Sequence, residues 1–340
     1  MFFGARVLTG AIRIRGASRG DRGYRRSGDR GLSPLRGQQG LADERFAKET
    51  TTWRDLYTKN DVASIVLQER LRRAEDMVGS LDLTSKTVAD IGCGAGLMSV
   101  AAARRGARVL AIDTVVSMLD LTKEQAERDG VADRVFVAKA SVESLPLKEG
   151  SVDVVVALGL LPWVPSPYTA LQEIERIVRP WGYVIVTSGN PFRLQSLVDP
   201  LQHPLLSPIK RVSKFVAGRA RVSLPVSKGV PRHWHSPRQL DLMLSSAGLE
   251  KVKSLTFGFG PLTFCRKRLP ERFGVPLHRR LQSVADSGMP GLRSSGAIYM
   301  VLARKVASGG ASVMHHRGLV DGSRSAEGLA LRPGAPAQIT

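Results

Sequence analysis

Residues 152–158, Val-Asp-Val-Val-Val-Ala-Leu, contain a single polar side chain. A strand with one wet face alternates apolar and polar residues. A run without that alternation fits a strand covered on both faces, as in parallel sheets packed between helices. Four more short apolar runs accompany it: Thr87–Ile91, Arg108–Ile112, Arg134–Ala138 and Tyr183–Thr187. Helical spacing fills the gaps at Leu97–Arg105, Ser117–Arg128 and Pro167–Val178, the last closed by Pro180. An earlier helix is predicted over 61–78, where Val62, Val66, Leu71, Ala74 and Val78 recur at helical intervals. Strands alternating with helices at this spacing mean βαβ units and an α/β fold with a parallel sheet. A helix capped by Ser236, with Pro237 at its first position and Gly248 as its stop, precedes two final strands, 251–257 and 297–303.

The two ends of the chain lack this order. Residues 1–42 are rich in Arg, Gly and Ser and are expected to be a disordered leader, as are residues 306–340 as a tail. The leader also fits an organelle transit peptide, although Asp21 and Asp29 argue against that. Of the net charge of +20, +12 remains between residues 41 and 305, so the folded part is itself basic. That favours an anionic partner but does not identify one. No apolar run reaches the length of a membrane-spanning helix. With only two cysteines, no disulfide framework is expected, and the cytoplasm is the expected compartment.

The first strand runs into a glycine-rich turn, VADIGCGAG over Val88–Gly96, which feeds the next helix. Glycines let a ligand approach the backbone, and a helix start offers free N–H groups. The dinucleotide pattern G-x-G-x-x-G fails, because position 97 is Leu, and no Lys-Ser/Thr follows as a phosphate loop requires. Asp90, just before the turn, would repel a pyrophosphate and suits a ligand carrying ammonium and sulfonium groups. Asp113, at the end of the second strand, is placed to accept a ribose diol or to cap the following helix.

Asp90-x-Gly92-x-Gly94-x-Gly96 resembles the D-x-G-x-G-x-G signature of class I S-adenosylmethionine (SAM)-dependent methyltransferases. The segment 140–146 is similar to that family's G-D-A-E-x-L-P, with Ser141 in place of the acidic residue, and Leu171–Gly182 to L-x-E-x-x-R-x-L-x-P-G-G, with Trp181 in place of a glycine. The resemblance implies a Rossmann-like α/β fold: a seven-stranded, mostly parallel sheet, helices on both faces and a lid insertion after the fifth strand. It implies SAM as cofactor, bordered by Asp90, Gly92, Cys93, Gly94 and Gly96, with Asp113 at the ribose, Ser141 and Val142 at the adenine, Leu158 facing the cofactor and Tyr57 forming part of a cover. No metal is implied. The SAM-binding core would span 43–190, a lid or acceptor-side insertion 191–232, and the rest of the domain 233–305.

The acceptor is less legible. The fourth strand lacks the [DNS]-P-P-[FYW] motif of base-amine DNA methylation. His233 and His235, in Pro231–Pro237, are candidate general bases on a hydroxyl, or structural residues beside a helix start. The favoured reading is methylation of a small or lipid-like acceptor at oxygen, such as a quinone precursor. Two alternatives stand: an RNA or protein methyltransferase, for which charge speaks but no RNA-binding module is visible, and a SAM-binding protein without turnover. The basic-apolar segment 191–230 also suits peripheral contact with an anionic membrane.

Overall fold

The computed structural model describes residues 33–199, 234–264 and 267–306. Seven strands form one sheet: β1 (Thr87–Ile91), β2 (Arg108–Asp113), β3 (Val135–Lys139), β4 (Val152–Ala157), β5 (Val178–Gly189), β6 (Leu249–Phe257) and β9 (Ile298–Lys305), in the spatial order β3-β2-β1-β4-β5-β9-β6. β1 through β5 pair in parallel, and β9 runs antiparallel to both β5 and β6. A short hairpin, β7 (Thr263–Phe264) with β8 (Lys267–Arg268), stands apart. The Rossmann-like fold and its seven strands are those expected.

The apolar run at residues 152–158 explains the layering. Successive side chains of a strand point to opposite faces. Val154 and Val156 enter one core with Val88, Met300 and Leu302, covered by α3 (Val62–Gly79), α4 (Leu97–Arg104) and α5 (Val116–Arg128). Val155 and Ala157 enter the other with Ala89, Val301 and Ala303, covered by α6 (Pro167–Ile177) and α8 (Pro237–Ser246). In α6, Leu171, Ile174 and Ile177 are fully buried. Each contributes roughly 1.5–3 kcal/mol of burial.

Helix ends follow their signals. Asp61 caps α3 through the Ser64 amide at 3.0 Å. Ser236 and Gln239 form a reciprocal capping box on α8, with Pro237 at its start. Gly248, just beyond, has φ +80°.

Three expectations need correction. The leader does not stay patternless to residue 42: Ser33–Lys48 is a helix, α1, followed by α2 (Thr50–Asp55). Ala42 is buried there, and the Phe46 ring lies 5.4 Å from Trp53 and 5.0 Å from Trp163, centroid to centroid. α6 ends as expected, with Val178 as its C-cap and Pro180 two residues beyond, but β5 starts at Val178 and not at Tyr183, so Pro180 is part of it. There the pairing with β4 slips between Val152 and Val154 and Trp181 takes φ +66°. A helix unforeseen in the sequence, α9 (Glu271–Asp286), contains Gly274 and Pro276, and an added Cβ on Gly274 would meet Val62 at 3.2 Å. Residues 1–32 and 307–340 lie outside the described residues. So does most of the expected lid insertion, of which residues 191–199, with the short α7 (Leu194–Val198), are described. Among the described residues, no helix is long and apolar enough to cross a membrane.

Candidate functional site

β1 lies between β2 and β4, so the chain leaves it toward one edge of the sheet and later returns on the other side. Such a reversal opens a crevice beyond the strand ends. Tyr57, Asp90, Gly92, Cys93, Gly94, Asp113, Ser141, Val142 and Leu158 all line that crevice. Gly96 and His235 do not, and His233 lies outside the described residues.

The turn after β1 holds Gly92, Gly94 and Gly96 at φ +71°, +54° and +76°, a region that side chains other than glycine's rarely adopt. Its amides are pinned from β2: Gly92 and Cys93 donate to the Ile112 carbonyl at 2.7 and 3.1 Å, and Gly94 donates to Asp113 Oδ2 at 3.1 Å. Gly96 serves packing, since an added Cβ would sit 2.8 Å from Thr122 Cα on α5. The Cys93 thiol is buried, which pushes its pKa well up and keeps it protonated.

Asp90 is buried and accepts a 2.6 Å hydrogen bond from Ser99 Oγ. Burial raises its carboxyl pKa to about 6. The Ser99 hydrogen bond works against that shift, and the nearby charge of Asp113 adds to it. Asp113 is also raised by burial, opposed by backbone donors. Its Oδ1 accepts from Val115 N at 3.0 Å, so it supports the start of α5 as well as the glycine turn. A carboxylate oxygen can accept two hydrogen bonds, so both groups keep capacity for further donors. Ser141 Oγ accepts from Glu143 N at 3.3 Å in the loop after β3.

Sequence reasoning missed Arg70. It lies on α3 in the row Val66–Arg70–Ala74, whose other two members are buried, and it lines the crevice. Its Nη2 donates to the Tyr57 hydroxyl at 2.8 Å. Its Nε is buried without a hydrogen-bond partner among the described residues, as is Trp53 Nε1 beside it in the lining. Gly159, at φ +75°, leaves room for this guanidinium: an added Cβ would stand 2.4 Å from Arg70 Nη1. A cation inside an otherwise apolar helical row was the available signal. From α1, which the sequence did not reveal, Asp43 and Phe46 complete the wall, and Asp43 accepts from Thr114 Oγ1 at 2.7 Å.

The donor set fits a zwitterionic nucleoside: a buried and a half-buried carboxylate for an ammonium and a diol, a half-buried guanidinium for a carboxylate, and aromatic and apolar walls for a base. His235 stands elsewhere, its Nδ1 3.4 Å from Ser188 Oγ at the end of β5. Among the described residues, no cluster of His, Cys, Asp and Glu could hold a metal ion.

Residues 89–186 match the family model described as a methyltransferase domain. The chain is 39% identical over 113 residues to a ubiquinone biosynthesis O-methyltransferase of Cupriavidus pinatubonensis, covering 33% of this chain and 45% of that one. It is 29% identical over 147 residues to the protein of the same description from Acinetobacter baylyi, covering 43% and 60%. The match thus spans about half the length of these relatives. Among solved structures, magnesium protoporphyrin IX methyltransferase from Synechocystis, with S-adenosylhomocysteine bound, superposes with TM-score 0.51 at 12% identity, covering 78% of this chain and 99% of that one. That likeness shows the fold.

Proposed function

Since this chain carries the domain of a class I SAM-dependent methyltransferase, we propose that it moves a methyl group to an oxygen of a small, lipid-like acceptor in the cytoplasm. When bound, SAM supplies an electrophilic methyl on a sulfonium. The protein's task is then to hold and align, which can supply much of the rate of a displacement at carbon.

In this reading Arg70 holds the cofactor's carboxylate through the N–H that has no protein partner. Asp90 receives the ammonium, and Asp113 accepts from the ribose hydroxyls while fixing the Gly94 amide. Ser141 and the Val142 backbone meet the adenine. Tyr57, held by Arg70, and Leu158 close over the cofactor beside Cys93. His235 takes the acceptor hydroxyl's proton. Its position at the end of β5, next to the strand whose end borders the crevice, supports that role. His233 is the second candidate base, outside the described residues.

The observation that carries the proposal is the 39% identity to a ubiquinone biosynthesis O-methyltransferase over 113 residues, a third of this chain. The test is incubation with methyl-labelled SAM and a panel of prenylated phenols and catechols, with RNA and protein fractions as separate acceptors. Label in a methyl ether of the phenol panel is expected. Label confined to RNA or protein would replace this reading, and SAM binding without transfer to any fraction would leave a binding protein.

A further inference from the structure

We propose that the β7–β8 hairpin and the outer face of α9 form a docking surface for membranes bearing anionic headgroups. The inference stands on this surface and not on the acceptor assigned above.

The inner face of α9 is spoken for. Gly274, His278, Gln282 and Ala285 are buried. The Phe259 amide donates to His278 Nδ1 at 3.1 Å, and the Gly258 amide donates to Gln282 Oε1 at 2.9 Å. The outer face presents Phe273 and Leu277, one turn apart and 55% and 37% exposed. Arg280 continues their row, and Arg272 and Arg279 occupy the row beside it, all exposed. The Arg272 guanidinium lies 4.8 Å from the centre of the Phe273 ring.

The hairpin adds the same chemistry next to the start of α9. Phe264 is 62% exposed, and Lys267 and Arg268 are exposed on the returning strand. The hairpin is anchored. Leu269 N donates to the Leu262 carbonyl at 2.9 Å just before α9 begins, and Gln195 on α7 donates to Thr263 Oγ1 at 3.1 Å. Five exposed cations thus accompany two exposed rings and a leucine between residues 264 and 280, on a segment braced at its start. Among the described residues, three carboxylates touch this segment: Glu271 accepts from the Val62 amide at 3.0 Å and lies 3.9 Å from Arg268, buried Asp199 accepts from Thr263 Oγ1 at 2.6 Å, and Asp61 is close enough to feel the charge of Arg268, so Lys267, Arg272, Arg279 and Arg280 carry most of the positive field.

Charge complementarity selects the occupant. Exposed apolar side chains rimmed by charge mark an interaction surface. A nucleic acid would engage the cations and could stack on the rings, but it offers Leu277 nothing. A bilayer interface takes all of it: cations sit at anionic headgroups while the rings and the aliphatic chain enter the acyl boundary.

The test is flotation of the full chain with phosphatidylcholine vesicles, with and without phosphatidylglycerol. Two variants accompany it: Phe264→Ser/Phe273→Ser/Leu277→Ser and Arg272→Gln/Arg279→Gln/Arg280→Gln. The wild type is expected to favour the anionic vesicles, and each variant to lose that binding by about tenfold or more, with the melting temperature and SAM affinity unchanged. Equal flotation with both vesicle types, or variants that float like the wild type, would overturn the proposal. So would an apolar variant that still floats beside a charge variant that loses binding to homopolymeric RNA.

Discussion

Asp153 and Asp90 stand on neighbouring strands near opposite ends of the central pair, and their surroundings differ. Asp153, at the start of β4, accepts from the Thr87 amide at 2.8 Å and is paired with Arg179 and Lys86. Asp90, near the end of β1, is buried with one hydroxyl donor, and its pKa is raised to about 6. The same contrast runs along α3. Arg73 pairs with Glu69 at 2.6 Å and with Asp286 at 2.7 Å, whereas Arg70, three residues earlier, keeps a buried N–H unmatched. At one end of the sheet the charges satisfy each other. At the other they are held apart, which costs stability and leaves them available to a ligand.

The most severe way to break this comparison is Asp90→Ala or Asp113→Ala. Each should weaken SAM binding by about a hundredfold or more, since each removes a partner for a desolvated polar group. Calorimetry showing unchanged affinity in both variants would remove the site assignment. Next comes the arginine pair. Arg70→Met should lower SAM affinity roughly tenfold or more, and Arg73→Met should leave affinity intact while lowering the melting temperature. An equal loss of affinity in both would dissolve the contrast.

The third test uses pH. An acid whose pKa is raised on folding binds more protons folded than unfolded between its two pKa values. The apo protein should therefore lose stability as pH rises from about 4 through about 6. Asp90→Asn should raise apo stability above that window by up to about 2–3 kcal/mol while still impairing SAM binding. For the wild type, a ligand ammonium favours the ionised carboxylate, so SAM affinity should fall as pH drops below about 6. A flat affinity profile for the wild type, or an asparagine variant no more stable than it, would separate Asp90 from both effects. The smallest effect is expected from deleting residues 1–32, which should leave SAM affinity within about twofold. Deletion through Lys48 should weaken it, because α1 supplies Asp43 and Phe46 to the crevice wall.

The strands were legible because doubly covered β-branched runs have few other readings, and the glycine turn because its spacing excluded the nucleotide patterns. Asp90 and Asp113 followed from their places at strand ends. Arg70 was hidden by the rule that helped find its helix: a charged residue inside an apolar row passes for noise until the fold sets it against a cavity. α1 was hidden by composition, since Arg, Gly and Gln between Ser33 and Gln39 mask the few contacts that anchor it. α9 was hidden by Gly274, which lets the helix press on Val62, and by Pro276 on its exposed side.

Positions 70 and 159 are bound to each other. A methyl group at 159 would occupy the place of the Arg70 guanidinium, and the left-handed backbone there already disfavours one. A lineage that exchanged the arginine for a shorter side chain would gain freedom at 159 and remove the guanidinium from the crevice wall. Across related chains the two positions should therefore change together, and Gly159→Ala should do less harm when Arg70 has already been shortened, the backbone strain at φ +75° remaining in both.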